Sequence, residues 1–150
     1  MAHDLLAYAG QVSSGAADGY LPFDLVVRPG SSAHDVLQVI VAAGRLLSCA
    51  LDAAGPDTRG WHWGPTDPSG LAALGVNEVV VHTVDICRGL GVRWVPPASL
   101  RDGVLQRLFR DVPPDVSPGD PVRALLWATG REDVPGRPHR SSWVPRAAID

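Results

Sequence analysis

Three side chains with usable chemistry, Glu78, His82 and Asp85, fall within NEVVVHTVDICRGLG, residues 77–91. On a helix advancing about 100° per residue they share a sector of roughly 60°. Leu71, Leu74, Gly75 and Val81 occupy the same stripe, so the spacing predicts a helix that turns its polar face toward a core. A buried carboxylate and imidazole need compensation. They can bond to one another, because an unpaired buried charge is costly. Alternatively they can hold a divalent metal, since carboxylate oxygen and neutral imidazole are both zinc-type donors. Glu-x-x-x-His is a short pattern that solvated helix faces also produce, so spacing alone leaves a metal site and a purely structural Glu–His pair both open.

Cys49 and Cys87 are the only cysteines and neither belongs to a Cys-x-x-Cys pair. Their count excludes a cysteine-built structural zinc knuckle. Each reads as a small buried hydrophobe, so any thiol chemistry would have to use an external thiol.

The 150 residues, 45% of them hydrophobic, suit one globular domain with a real core. No apolar run near about 18 residues stands out, and Met1 does not open a signal-type segment. The expectation is therefore no membrane span and a cytoplasmic protein. Net charge is −3, and all 13 basic residues are scattered arginines. That distribution offers no basic footprint for nucleic acid.

Proline and glycine punctuate a series of helical patterns. A first helix is expected from about Ala2 to Ala17, with Leu5, Tyr8, Ala9, Val12 and Ala16 inward, His3 off that side, and Gly19 beyond its end. FDLVVR, residues 23–28, alternates too briefly to build a sheet. Ser32 followed by Asp35 resembles a capping box for a second helix from about Ala33 to Ala54. Its buried stripe would be Val36, Ile40, Ala43, Leu47 and Ala50, with His34, Gln38 and Arg45 facing solvent. Residues 55–68 read as a turn-rich connection, and Asp67–Pro68 as the N-cap and first residue of the third helix. That helix carries Glu78 and His82 and should end near Gly89 and Gly91. A second stripe, Val80, Val84 and Cys87, demands further packing partners. SLRDGVLQRLFRDV forms a fourth helix with Leu100, Val104, Leu108 and Val112 inward. Asp120–Pro121 starts a short fifth, closed by Gly130. From Arg131 the chain is rich in Pro and Arg, and Arg137, His139 and Arg140 read as solvated.

Three segments in order, NEVVVHTVDICRGLG, then Trp94 through Pro96–Pro97 to L-x-x-x-V-L-x-R-L-F, then ALLWATGR, resemble the mycothiol-dependent maleylpyruvate isomerase family. The resemblance is strongest from Trp61 to Trp143. It implies an all-α fold: a DinB-like four-helix bundle over residues 1–130, lacking its first helix, with 131–150 as an irregular tail. It implies a divalent metal, usually zinc, held by Glu78 and His82 and by a further histidine from another bundle helix. On the alignment of DLLAYAGQ that histidine falls just before Met1. His3 and His62 are the substitutes within the chain, and the unpaired stripe of the third helix would be covered by a lost helix or by a second copy in a homodimer. Arg131 matches the family's arginine for the anionic substrate, where a forked donor suits a carboxylate; read locally, it is an arginine satisfying carbonyls at a helix end. Asp85 would orient a ligand imidazole or stand solvated at the pocket mouth. Trp61, Trp63 and Trp127 read as packing residues. The implied activity is a mycothiol-dependent isomerase or S-transferase acting on a small electrophile. Thiolate added to a cis double bond permits rotation, and expulsion of the thiol leaves the trans product. The alternative is a noncatalytic, truncated metal-binding or protein-interaction module.

Overall fold

The computed structural model describes residues 1–149, and its fold is all-α. Among these residues lie α1 (Ala2–Ser14), α2 (Ala33–Ala53), α3 (Pro68–Gly89), α4 (Ala98–Leu108) and α5 (Pro121–Ala128). A two-residue antiparallel hairpin, β1 (Gly60–Trp61) and β2 (Pro65–Thr66), interrupts the connection between α2 and α3. The chain divides into two compact units, residues 1–78 with 147–150 and residues 79–146, and the division falls inside α3 after Glu78.

In the first unit α1 packs along α2. Leu5 and Val12, Ala43 and Leu47, and Leu71 and Leu74 are buried. Val36, Ile40 and Ala50 are half-buried on the predicted stripe of α2, while His34, Gln38 and Arg45 on its other side are exposed. Gln11 is the polar tie of this unit. Fully buried, it donates from Nε2 to the Gly19 carbonyl at 3.1 Å and accepts the Trp61 N–H at 3.1 Å, joining α1 to the hairpin. Thr66 donates its hydroxyl to the Ala147 carbonyl at 2.6 Å and bridges to Ala148, anchoring the end of the chain.

Helix starts follow their caps. Ser32 Oγ accepts the Asp35 N–H at 3.2 Å while the Asp35 carboxylate accepts the Ser32 N–H at 2.9 Å. These bonds from Ser32 hold the Asp35 carboxyl below its ordinary range. Asp67 Oδ1 accepts the Gly70 N–H at 2.7 Å, and Asp120 Oδ1 accepts that of Arg123 at 3.1 Å. Ser32→Ala is expected to lower stability by about 1 kcal/mol, the usual cost of losing an N-cap, measured by urea unfolding.

The second unit has its core in Val104, Leu108 and Phe109, with Val116, Ala124, Trp127 and Val134 clustered beside Leu105 and Val112. Several expectations are corrected. α1 stops at Ser14 and not near Ala17, because Gly15 adopts the left-handed conformation (φ 66°) and its N–H bonds the Gln11 carbonyl. α4 ends at Leu108 and not near Val112; Leu100 in its first turn is 42% exposed, and Phe109 just past its end is buried. Of the second stripe of α3, Val80 and Val84 are buried and Cys87 is half-buried. Arg140 is not solvated: it pairs with Asp111 at 3.0 Å and lies 5.2 Å from the Trp127 ring centroid. α2 and α3 are each long and apolar enough to cross a membrane by length and composition, contrary to the expectation of no such run.

Candidate functional site

α3 carries Glu78 and His82 one helical turn apart, Glu78 closing the first unit and His82 lying in the second. The polar face is graded along the helix: Glu78 is 17% exposed, His82 38% and Asp85 42% in their side chains. The expectation that all three point into a core holds only at its Glu78 end. The helix emerges toward its C-terminus, carrying His82 and Asp85 to a rim.

Around Glu78, the first unit gathers a cluster of titratable groups. The Met1 α-amino nitrogen lies 3.8 Å from Glu78 Oε2 and 2.7 Å from Asp4 Oδ2. Burial, reinforced by the negative charges of Glu78 and Asp4, pushes the Tyr8 hydroxyl well above the ordinary phenol range. Tyr8 therefore stays protonated and can only enter an acid–base role as a donor. Its ring meets His62 edge-on at 5.7 Å, and Tyr20 also meets His62 edge-on, at 6.1 Å. Tyr20 Oη accepts the Trp63 N–H at 3.1 Å and stands 3.4 Å from His62 Nδ1. Burial pushes the His62 imidazole down to about 4 against the opposing pull of Asp4, so the ring is neutral at pH 7. His62 Nε2 is buried with no hydrogen-bond partner among the described residues. His3 is engaged elsewhere. Its Nδ1 accepts the Leu25 N–H at 3.0 Å and its Nε2 lies 4.0 Å from Asp24, tying the loop after α1.

In the second unit His82 Nδ1 lies 3.7 Å from Asp85 Oδ2. Arg131 grips the same carboxylate, its Nε donating to both oxygens at 3.0 and 3.1 Å with Nη2 3.0 Å from Oδ2. Arg131 Nη1 donates to the Thr129 carbonyl at 3.1 Å, and its guanidinium lies 6.0 Å from the Trp143 ring centroid. The forked donor thus meets a carboxylate of its own chain, and the helix-end carbonyl is satisfied as well. Asp85 stands between the two side chains, gripped by Arg131 and 3.7 Å from His82 Nδ1.

Three side chains depart from their expected places. Trp63 is 70% exposed at the hairpin tip with φ 56°, so it is not a packing residue. Cys49 is exposed on α2, not buried, and Cys87 is half-buried. The grouping of Tyr8, Tyr20 and His62 has no short sequence signal; Tyr8 is legible only as an apolar-side residue of α1. Among the described residues no group of three or more His, Cys, Asp or Glu side chains is arranged to hold a metal. No protein-family model, curated protein or solved structure matches the chain.

Proposed function

We propose that this chain is a divalent-metal-binding, DinB-like helical protein of the mycothiol-dependent isomerase or S-transferase type, acting in the cytoplasm on a small electrophile. The observation that carries the reading is the spacing of Glu78 and His82 one turn apart on α3, with Asp85 in ion-pair range of His82 Nδ1. A carboxylate that takes one imidazole nitrogen leaves the other for a metal, a common arrangement around zinc. The donor set, one carboxylate and one imidazole, fits zinc and falls short of the three protein ligands usual in a catalytic site. Glu78 and His82 would hold the ion. Bound there, a divalent cation would supply positive charge favouring the deprotonated form of an external thiol. Tyr8, kept neutral by burial and by Glu78, would offer a hydroxyl proton beside the carboxylate. Arg131, its fork held by Asp85, would keep that carboxylate oriented toward His82 and would add positive charge beside an anionic substrate.

Zinc content by elemental analysis should fall in folded Glu78→Ala and His82→Ala proteins; unchanged occupancy in both removes these residues from the site. Because the Met1 main-chain nitrogen lies 3.8 Å from Glu78 Oε2, a histidine added immediately before Met1 should tighten zinc binding. With zinc and mycothiol supplied, Cys49→Ser and Cys87→Ser should retain whatever turnover the parent shows, since the thiol is external.

A noncatalytic interaction module is the second reading. It is favoured by α2, where Leu37, Val39, Val41 and Leu46 are all exposed. A zinc-loaded, histidine-extended protein that turns over no electrophile in the presence of mycothiol supports this reading over the first.

A further inference from the structure

The second unit contains a cavity of about 380 Å³ into which α3, α4, α5 and the loop after α3 send four arginines, Arg88, Arg93, Arg101 and Arg123. Arg131 is not among its walls. Its volume lies within the about 300–1,000 Å³ range of small-ligand sites. Two carboxylates share the lining, Asp120 and Glu132. Asp120 is committed to capping α5. Glu132 serves two arginines, accepting from Arg88 Nη2 at 2.9 Å and lying 3.2 Å from Arg123 Nε. That leaves Arg93 and Arg101 facing the cavity without a lining carboxylate of their own. Among the described residues Arg93 forms no ion pair, and Arg101 pairs only with its chain neighbour Asp102, at 3.6 Å.

The donors bear out this imbalance. Arg101 Nε and Arg123 Nε are both buried without a hydrogen-bond partner among the described residues. Arg123 Nε is close enough to Glu132 for charge attraction, yet not aligned for a hydrogen bond. Buried guanidinium donors are rarely left unmet, and where they are, an acceptor from outside the chain is the natural complement. The remaining lining is apolar: Val84 and Leu126 are buried at the wall, and Trp94 is half-buried. We propose that this cavity binds a small organic dianion, its oxyanion groups taken by the guanidinium forks of Arg93 and Arg101 and its carbon skeleton by Trp94, Val84 and Leu126. Forked guanidinium donors match carboxylate and phosphate oxygens alike. Four arginines against two carboxylates leave the lining with an excess of two positive charges, which sets the ligand charge. Nothing in this site draws on Glu78 or His82, so it stands whether or not the chain binds metal.

The test is calorimetric titration of the full chain, stripped of metal on a chelating resin, with inorganic phosphate and separately with phthalate. At least one should give saturable binding, and the indole N–H resonance of Trp94, identified through Trp94→Phe, should move during the titration. Tighter phosphate points to phosphorylated compounds and tighter phthalate to dicarboxylates; either supports the site. Arg93→Gln and Arg101→Gln should each weaken binding at least about tenfold, the loss of one charge-assisted hydrogen bond, while Arg45→Gln on α2 should leave it unchanged. Should Arg101→Gln fail to fold, the exposed Arg93 still decides the matter. Binding equal to the parent in Arg93→Gln, or no saturable binding of either anion, overturns the proposal.

Discussion

Replacing Gly130 by alanine should lower unfolding stability by about 3 kcal/mol, combining a strained backbone with a forced displacement of main chain. Gly130 ends α5 in the left-handed conformation (φ 67°), which L residues adopt only with strain. A Cβ built there would stand 2.6 Å from the Arg140 carbonyl oxygen and 3.5 Å from Trp143 Nε1. A side-chain tip could swing aside, whereas that carbonyl belongs to a segment held by the Arg140–Asp111 pair and by Trp127 Nε1 donating to the Pro138 carbonyl at 3.0 Å. Either the segment 138–143 moves or the α5 terminus unwinds. Arg131 would move with that turn, so Asp85 would lose its grip along with the stability. Urea unfolding followed by near-ultraviolet circular dichroism, to which Trp127 and Trp143 both contribute, reads the effect. A loss below about 1 kcal/mol, the least expected from one strained residue, would show that the turn accommodates a side chain freely.

Local signals carried most of the helical architecture. The Ser32–Asp35, Asp67–Pro68 and Asp120–Pro121 starts are matters of neighbours in sequence, and each forms the cap its residues imply. The α2 stripe was equally legible, because 3.6-residue periodicity records burial directly. Ends were harder to read. α1 looked apolar through Ala16, yet a single left-handed glycine at position 15 outweighs that continuation. α4 kept its helical pattern through Val112, but Phe109 is fully buried at the turn where the helix stops. The site divides the same way. The Glu78–His82 spacing is a property of one helix. What surrounds those residues is not: Asp85 meets Arg131 across 46 positions, and Tyr20 meets His62 across 42. Such pairings depend on how elements pack, for which no short pattern exists. The arginines around the cavity were visible only as scattered charge, because they come from four segments that are apart in sequence.

Acidification from pH 7 to pH 4 should cost the folded protein about 2 kcal/mol through His62 alone, after discounting for its partial contact with solvent. Burial between Tyr8 and Tyr20 depresses the ring from its ordinary 6.5 to about 4, the nearby Asp4 charge offsetting only part of that. Between those two values the unfolded chain binds a proton at His62 that the folded chain refuses. Proton uptake therefore favours unfolding, so the stabilising contribution is complete above about pH 7 and declines as pH falls toward 4. Protonation would place a charge on Nε2, which has no acceptor among the described residues, while Nδ1 could still donate to Tyr20 Oη. His62→Gln keeps a polar side chain of similar reach that does not titrate. Its stability should vary less with pH over this window than that of the parent, and the difference between the two curves isolates the His62 contribution from that of the carboxylates. The imidazole proton shifts, followed by NMR, should remain those of a neutral ring at pH 5. A ring that titrates near its ordinary 6.5, or parent and variant curves that run parallel from pH 7 to 4, would falsify the buried, neutral state of His62 and with it the water-excluding contact of Tyr8 and Tyr20 around it.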